Sequence, residues 1–442
     1  MMGENRMIES YTDALNFIHG RTKFKKIPTL DRMRLFLDRL GNPQRGLQYI
    51  HVTGTNGKGS TVAMMRSMLM ATGLNVGSFT SPFITRFNER IAFNAEPISD
   101  TDLTRLAKKV EPVVQQLDQE IPTGGPTEFE IDTAIMFCYF AEKKPDLVLL
   151  EVGIGGLYDS TNVITPLVSV ITTIGWDHMK YLGNTLAKIA HQKAGIIKKN
   201  VPVVIGYLPL SAHEVIVKEA AERKAQIYEL GKEFSTRKLN RHAMNAEIEY
   251  DGGELHHFRE KLNLAGDYQV GNAAIAITTV QVVLNKLGIP VNAVDLKKGL
   301  ATTWWPGRME TVIDEPLVML DGAHNLPGIQ ELVKSIRDDF SDRNVYILVA
   351  ILADKQYELM LGELASLANV HLMVTNFAGP GPKRPSADLT SVIGEFKTKY
   401  PIQIAENWQS GFIKLSQELG ADDVMIITGS LYFISEVRKI LK

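Results

Sequence analysis

The chain has 442 residues, 45% of them hydrophobic and 22% charged, with 48 basic against 50 acidic side chains for a formal net charge of −2. That length is enough for two or three domains, and the charge balance excludes a general electrostatic pull toward nucleic acid or an anionic membrane. A single cysteine, Cys138, excludes an intrachain disulfide and fits a reducing, cytoplasmic setting, residues 1–10 lack the apolar stretch of a signal peptide, and the longest apolar runs, such as 345–353, are too short to cross a bilayer.

In chain order, 47–53 is a β-rich run ending at a glycine turn, and 60–71 has the Met and Leu spacing of a helix. Strands are expected over 75–79, 147–151, 167–173 and 201–205, with helical patterns over 102–117 and 127–142 between them. Such alternation predicts a mostly parallel sheet covered on both faces. Around 241–264 the texture changes: residues 246–250 alternate and Asp251-Gly252-Gly253 is a hairpin turn, so a small antiparallel annex is expected on the same domain. A helix over 269–287 follows. Beyond Pro290, strands over 317–320, 345–350, 370–374 and 424–427 alternate with helices over 327–340, 357–367 and 431–441. The expected fold class is α/β: an N-terminal P-loop-type, mostly parallel sheet domain with its annex, then a smaller C-terminal Rossmann-like α/β domain. The junction is expected between 286 and 306, dividing the chain into 1–297 and 298–442.

The turn Gly54-Thr55-Asn56-Gly57-Lys58-Gly59-Ser60 stands between a strand and a helix, the geometry that phosphate binding requires. Its glycines let backbone amides approach phosphate oxygens, and the helix N-terminus adds unpaired N–H groups and a favourable dipole. Lys58 would neutralise β/γ charge, with Ser60 or Thr61 near a magnesium ion. The spacing departs from the usual Walker pattern, since position 52 is Val and a glycine separates Lys58 from Ser60. A glycine-rich turn kept for sterics alone is the competing reading, and the lysine inside the turn argues against it.

Glu151 ends an apolar strand and is followed by Gly153, Gly155 and Gly156. A carboxylate at that end of a parallel strand faces the crevice where such sheets bind ligands, and can hold magnesium; capping a loop is the alternative. Arg308, in Trp304-Trp305-Pro306-Gly307-Arg308, can clamp a phosphate as two domains close, whereas the tryptophans read as interdomain packing. In the polar loop after 75–79, Phe83 and Phe87 can stack on a flat ring and Arg86 can pair with a carboxylate. Phe129 is a further ring contact or a core residue.

Taken with these, the segments Thr80-Ser81-Pro82-Phe83, Arg86-Phe87-Asn88-Glu89-Arg90-Ile91, Glu151-Val152-Gly153-Ile154-Gly155-Gly156, Asp159-Ser160-Thr161-Asn162, Asp177-His178, Lys193-Ala194-Gly195-Ile196, Trp305-Pro306-Gly307-Arg308 and Asp321-Gly322-Ala323-His324-Asn325 occur in order. This set resembles the Mur ligase superfamily, and within it the folylpolyglutamate synthases, over nearly the whole chain. The resemblance implies an ATP-dependent ligase that joins L-glutamate to the γ-carboxylate of a reduced folate through an acyl phosphate, in a monomeric enzyme with no nucleic-acid or membrane partner. It implies two Mg2+ ions, one held by Glu151 and His178 and the other by Ser81 and Ser60. It implies a carbamylated Lys193, which a solvated lysine at a helix end would not be. Asn272 falls in the ATP site, with Thr55, Asn56, Gly57, Lys58, Gly59, Ser60 and Arg308. Asp321 would meet the ribose and His324 the incoming amino acid, although Asp-Gly-Ala-His-Asn also reads as a tight βα turn capped by Asn325. Lys58, Lys193 and His324 are the catalytic candidates; Ser81, Phe83, Arg86, Phe87 and Phe129 are the folate-contacting ones. Some relatives also glutamylate dihydropteroate, for which the stretch 22–34, with Lys23, Lys25 and Lys26, is a candidate pterin contact. Two rivals stand beside this reading. One is a cell-wall Mur ligase acting on a UDP-sugar peptide, against which the Thr-Ser-Pro-Phe and Arg-Phe-Asn-Glu-Arg stretches argue. The other is a nucleotide-dependent switch, which leaves Glu151, His178 and Lys193 unexplained.

Overall fold

The computed structural model describes residues 8–22, 29–240, 244–379 and 384–442; Lys23, Lys25 and Lys26 lie outside them. The first sheet has eight strands: β1 (Tyr49–Thr53), β2 (Val76–Phe79), β3 (Ile91–Phe93), β4 (Glu96–Pro97), β5 (Leu147–Glu151), β6 (Val168–Ile171), β7 (Val203–Ile205) and β8 (Ile227–Glu229). Their order is β4-β3-β2-β5-β1-β6-β7-β8, parallel except for β3 and β4 at one edge. Every residue of β1, β2, β5, β6 and β7 is buried, because helices cover both faces of the sheet. The chain runs outward from β1 on one side, returns as β5, then crosses to β6. The sheet's switch point therefore lies at β1, with Val52 beside Glu151 and Thr53 beside Ile171.

The annex is a three-stranded antiparallel sheet of β9 (Phe234–Lys238), β10 (Asn245–Gly252) and β11 (Leu255–Ala265). It begins earlier than the expected 241, because β9 pairs with β10 through residues whose own alternation is short. The helix Tyr268–Leu287 joins annex to main sheet. It is apolar and long enough to cross a membrane by composition, yet Ala273, Ile277, Val280 and Leu284 are packed in the core with Ile50, Val62 and Ile248.

The last sheet holds β12 (Glu310–Ile313), β13 (Leu317–Leu320), β14 (Val345–Val349), β15 (Val370–Val374), β16 (Gln403–Ile404) and β17 (Val424–Thr428), ordered β12-β13-β17-β14-β15-β16, with only β12 antiparallel. The helix Ala293–Ala301 spans the expected junction at 297/298 and packs on the helix Lys58–Ala71: a Cβ on Gly299 would lie 2.4 Å from the Met68 Cα. Helix ends follow their caps. Thr127 caps Glu128–Lys143 with a reciprocal bond, Glu130 accepting from the Thr127 amide at 2.8 Å. Two short helices, Tyr11–His19 and Asp31–Arg39, and the helix Trp408–Glu418 were not expected from the pattern; each is short enough for packing rather than periodicity to decide it.

Candidate active site at the domain junction

The phosphate-type turn is held from three sides. The Thr55 amide donates to the Thr173 carbonyl at 2.8 Å and the Asn56 amide to Thr173 Oγ1 at 3.0 Å, tying the turn to the end of β6. Gly57 adopts φ +83°, and a Cβ there would stand 2.4 Å from Asn272 Oδ1. Helix Lys58–Ala71 starts two residues before its periodic stretch, so Lys58 sits in the first turn and its ammonium folds back onto the carbonyls of Gly54 (3.1 Å) and Thr55 (3.3 Å). Ser60 is buried and its Oγ accepts from Gln269 at 3.3 Å; Gln269 in turn accepts from Asn272 at 2.9 Å. Gly59 faces the Trp305 indole, where a Cβ would be 2.8 Å from the ring nitrogen. Gly57→Ala should therefore raise KM for ATP about tenfold or more through an error of one to three kcal/mol in turn geometry. ATP titration of the variant checks this, and an unchanged KM would count against a phosphate role.

Glu151 is buried beside this turn, accepting from the Ser81 amide at 3.3 Å, with Lys58 Nζ 3.9 Å away. Burial pushes its carboxyl up to about 7, against the opposing pull of Lys58 and of the Ser81 amide. Lys193 is also buried, and desolvation together with the nearby Lys58 charge lowers its amine to about 7. The glycines after Glu151 explain that placement. A Cβ on Gly156 would press within 2.9 Å of the Gln192 carbonyl, so only glycine lets the turn lie against the helix Leu186–Ala194 that carries Lys193. Asp159 secures the turn by accepting from the amides of Ile154 and Thr161, each at 3.0 Å.

His178 has φ +49°, and burial lowers its imidazole to about 4, so it is neutral at pH 7. Its neighbour Asp177 is the hub of the junction. It accepts from Lys355 Nζ and, at 2.9 Å, from Asn325 Nδ2, both in the second domain, and His324 Nε2 lies 3.7 Å away. Burial raises the Asp177 carboxyl, but the surrounding positive groups more than offset this and hold it below the usual carboxylate range. With both imidazoles neutral, the Lys355 ammonium carries that charge. His324 donates from Nδ1 to the Gly322 carbonyl at 2.8 Å, and burial takes it down to about 3. The amides of Asn56 and Asn325 meet across the junction at 3.0 Å.

Asp321 is buried and accepts from the amides of Ala323 (2.9 Å) and Met309 (3.1 Å) and from the Tyr268 hydroxyl (3.1 Å). Its carboxylate thus shapes the segment bearing Arg308, whose Nη1 donates to the Gly307 carbonyl at 3.0 Å.

The loop after β2 contains a cis Ser81–Pro82 bond, and Glu89 gathers the amides of Ile84, Thr85 and Arg86 at 2.9, 3.0 and 2.8 Å. Phe83 and Phe87 meet edge to face, with the Arg90 guanidinium over both rings at 5.4 and 5.6 Å. Phe87 is buried, and Phe129 stacks on Phe79 and fills the space beside Gly153. Arg86 is not brought to this cluster: it forks onto Asp100 at 2.8 and 2.9 Å and covers the Tyr11 ring. Arg90 is the cation that does face the aromatic pair. Arg90, Gln269 and Lys355 were not assigned from sequence. Arg90 lies inside the segment Arg86-Phe87-Asn88-Glu89-Arg90-Ile91 and Gln269 opens the helix expected over 269–287, whereas Ala353-Asp354-Lys355 has no signature.

Residues 52–280 match the Mur ligase middle domain and 307–431 the Mur ligase glutamate ligase domain. Over 441 residues the chain is 40% identical to the dihydrofolate synthase/folylpolyglutamate synthase of Bacillus subtilis, covering 99% of this chain and 100% of that relative. The chain belongs to the folylpolyglutamate synthase family of Mur ligases. A folylpolyglutamate synthase of Lacticaseibacillus casei is 38% identical, with 98% of this chain and 99% of that one aligned. A solved FPGS–AMPPCP–folate complex superimposes with a TM-score of 0.84 at 37% identity, over 98% of this chain and 100% of that one. As in that family, the α/β architecture places a large parallel-dominated sheet first and a separate α/β sheet after it.

Proposed function

We propose that this folylpolyglutamate synthase family member is an acid–amino-acid ligase that uses ATP to join L-glutamate to the γ-carboxylate of a reduced folate. One observation carries the reading: the Ser81 amide of the acceptor loop bonds directly to Glu151, so the loop and the nucleotide turn share one carboxylate. An acceptor carboxylate held by that loop arrives beside the γ-phosphate. Its oxygen attacks phosphorus, the bond to the β-phosphate oxygen breaks, and ADP leaves with an acyl phosphate formed. The glutamate amine then attacks the activated carbonyl, phosphate departs, and the ammonium's protons pass to solvent. Such chemistry needs alignment and charge neutralisation more than covalent help. Lys58 and Arg308 supply fixed positive charge on the nucleotide side, and Asn272 sits against the turn at Gly57. His324, neutral and fixed by Gly322, suits orienting the incoming amine rather than storing its proton.

Magnesium fits the donor set. Among the described residues Glu151 is a buried carboxylate with no cation in hydrogen-bond contact and the Thr61 hydroxyl next to Ser60 is buried without a partner, and His178 is neutral. Glu151 with His178, and Ser60 with Ser81, would hold two ions, which would shield the transferring phosphate and the attacking carboxylate. Lys193 suits carbamylation because an amine lowered to about 7 is largely unprotonated just above neutrality. The carbamate 13C signal from labelled bicarbonate should grow as pH rises from 6 to 8. Lys193→Ala should lose activity and regain part of it with short carboxylates; full activity in the alanine variant would sink the idea.

Both walls of the cleft come from one chain, so a monomer is proposed, testable by sedimentation. The domain junction expected between 286 and 306, and divided at 297/298, is proposed to lie just past the helix Ala293–Ala301, which packs on the first domain, with limited proteolysis as its check. A cytoplasmic setting is proposed from the lone, buried Cys138. Turnover of tetrahydrofolate with glutamate, set against UDP-muramoyl substrates, tests the ligase reading. Activity on the latter alone would overturn it. Running dihydropteroate in parallel decides whether the first glutamate is also added, as the two-part name of the Bacillus subtilis relative indicates for that protein.

A further inference from the structure

The acceptor loop is anchored by the second domain as well as by its own. Ile84 is buried in the second domain's core with Leu320, Phe433 and Ile434. Its carbonyl accepts from the Ser435 hydroxyl, and Thr85 Oγ1 accepts from Arg438 Nη1 at 3.0 Å, both donors on the C-terminal helix Leu431–Leu441. The same Arg438 forks onto Glu310, Nε to Oε2 at 3.0 Å and Nη2 to Oε1 at 3.0 Å. Glu310 Oε2 accepts from the Gly307 amide at 2.8 Å, and the Gly307 carbonyl accepts from Arg308 Nη1 at 3.0 Å and the Gly322 amide at 2.8 Å. Gly307 has φ +68°, and a Cβ there would strike Ile434 at 2.7 Å and meet Ile84 at 3.7 Å. An unbroken line of hydrogen bonds therefore runs from the acceptor loop, through a buried ion pair, to the arginine on the nucleotide side.

We propose that Arg438 is a positioning residue that couples placement of the acceptor loop to placement of Arg308, so that nucleotide binding strengthens acceptor binding and the reverse. The proposal rests on the reading that the 81–86 loop meets the folate and Arg308 the ATP phosphates. A surface ion pair would not have this effect. The pair here is largely buried, with side-chain exposures of 14% for Arg438 and 5% for Glu310, and its geometry is shared with two backbone segments.

The test is calorimetric, on the full chain. Tetrahydrofolate is titrated with and without AMPPCP into the wild type, Arg438→Met, Arg438→Lys and Thr85→Val. In the wild type AMPPCP should tighten folate binding about fivefold or more. Arg438→Met should reduce that enhancement below about twofold while AMPPCP affinity alone changes little, and Arg438→Lys should restore only part of it, since a lysine keeps the charge but its single nitrogen does not reproduce the two-nitrogen fork onto Glu310. Thr85→Val removes only the loop end of the line and leaves the Glu310 pair intact, so it serves if Arg438→Met fails to fold; it should lower the enhancement in the same direction. A wild type without enhancement, or Thr85→Val and a folded Arg438→Met that both keep it, overturns the proposal. Failure of the underlying reading shows differently, as a wild type that does not bind tetrahydrofolate at all.

Discussion

Lys58→Met should lower kcat/KM for ATP-driven glutamate ligation by about 10²–10³ while leaving the fold intact. The ammonium is held by two turn carbonyls and stands 3.9 Å from Glu151 without a hydrogen bond to it, so its charge is available to a phosphate rather than used up in a structural pair. The substitution also shifts its neighbours in a defined direction. Lys58 is the largest of the groups that hold Glu151 down to about 7 against the effect of burial, so without it that carboxyl rises further and is protonated over a wider pH range. Lys58 also helps hold Lys193 near 7, so without it the Lys193 amine moves back toward its ordinary value and less of it is free to carbamylate. Rapid-quench measurement of ADP formation and the 13C carbamate signal give independent readings. A loss under tenfold, or a carbamate signal that does not fall at pH 7.5, would count against this electrostatic account.

Asp177→Ala should destabilise the protein by about 3–5 kcal/mol, because it leaves the Lys355 ammonium buried without its partner. The side chains are only 10% exposed for Lys355 and 6% for Asp177, so water cannot replace the lost contact cheaply. Activity should also fall by about a hundredfold, since Asn325 and His324 lose the group that orients them across the junction. The double variant Asp177→Leu/Lys355→Met should recover most of the stability and little of the activity. Denaturant unfolding and steady-state turnover of the wild type and these two variants separate the two effects. The pH dependence has a fixed sign. A carboxyl held below the usual range contributes stability that is fully present above about pH 4 and fades as the solution becomes more acid. If Asp177→Ala unfolds at the wild-type denaturant concentration, the hub is not what holds the junction.

Much of this site is legible in the sequence itself. Residues 54–60, Glu151 and the segment after Leu320 stand out because each joins a hydrophobic strand to a polar or glycine-rich turn, and a parallel sheet gathers the ends of its strands at one crevice. The glycines at 153, 155 and 156 are visible too, but their reasons are not: Gly156 admits the helix bearing Lys193, Gly153 makes room for the Phe129 ring, and Gly155 has φ +72° with Leu182 against it. Arg86 looked like the substrate cation because it opens the loop motif, and Asp100 takes it instead, leaving Arg90 over the rings.

Local chain chemistry therefore determined the α/β class, the nucleotide-type turn and the strand-end carboxylates, since periodicity and turn composition act over a few residues. Only tertiary structure decided which distant side chains meet. Lys355 reaches Asp177 across 178 positions, Gln269 reaches Ser60 across 209, and Arg438 reaches Thr85 across 353, pairings that leave no periodic trace in the chain. It also decided the charge state of the site. Glu151 and Lys193 both move to about 7 because burial removes the water that would otherwise stabilise their charged forms.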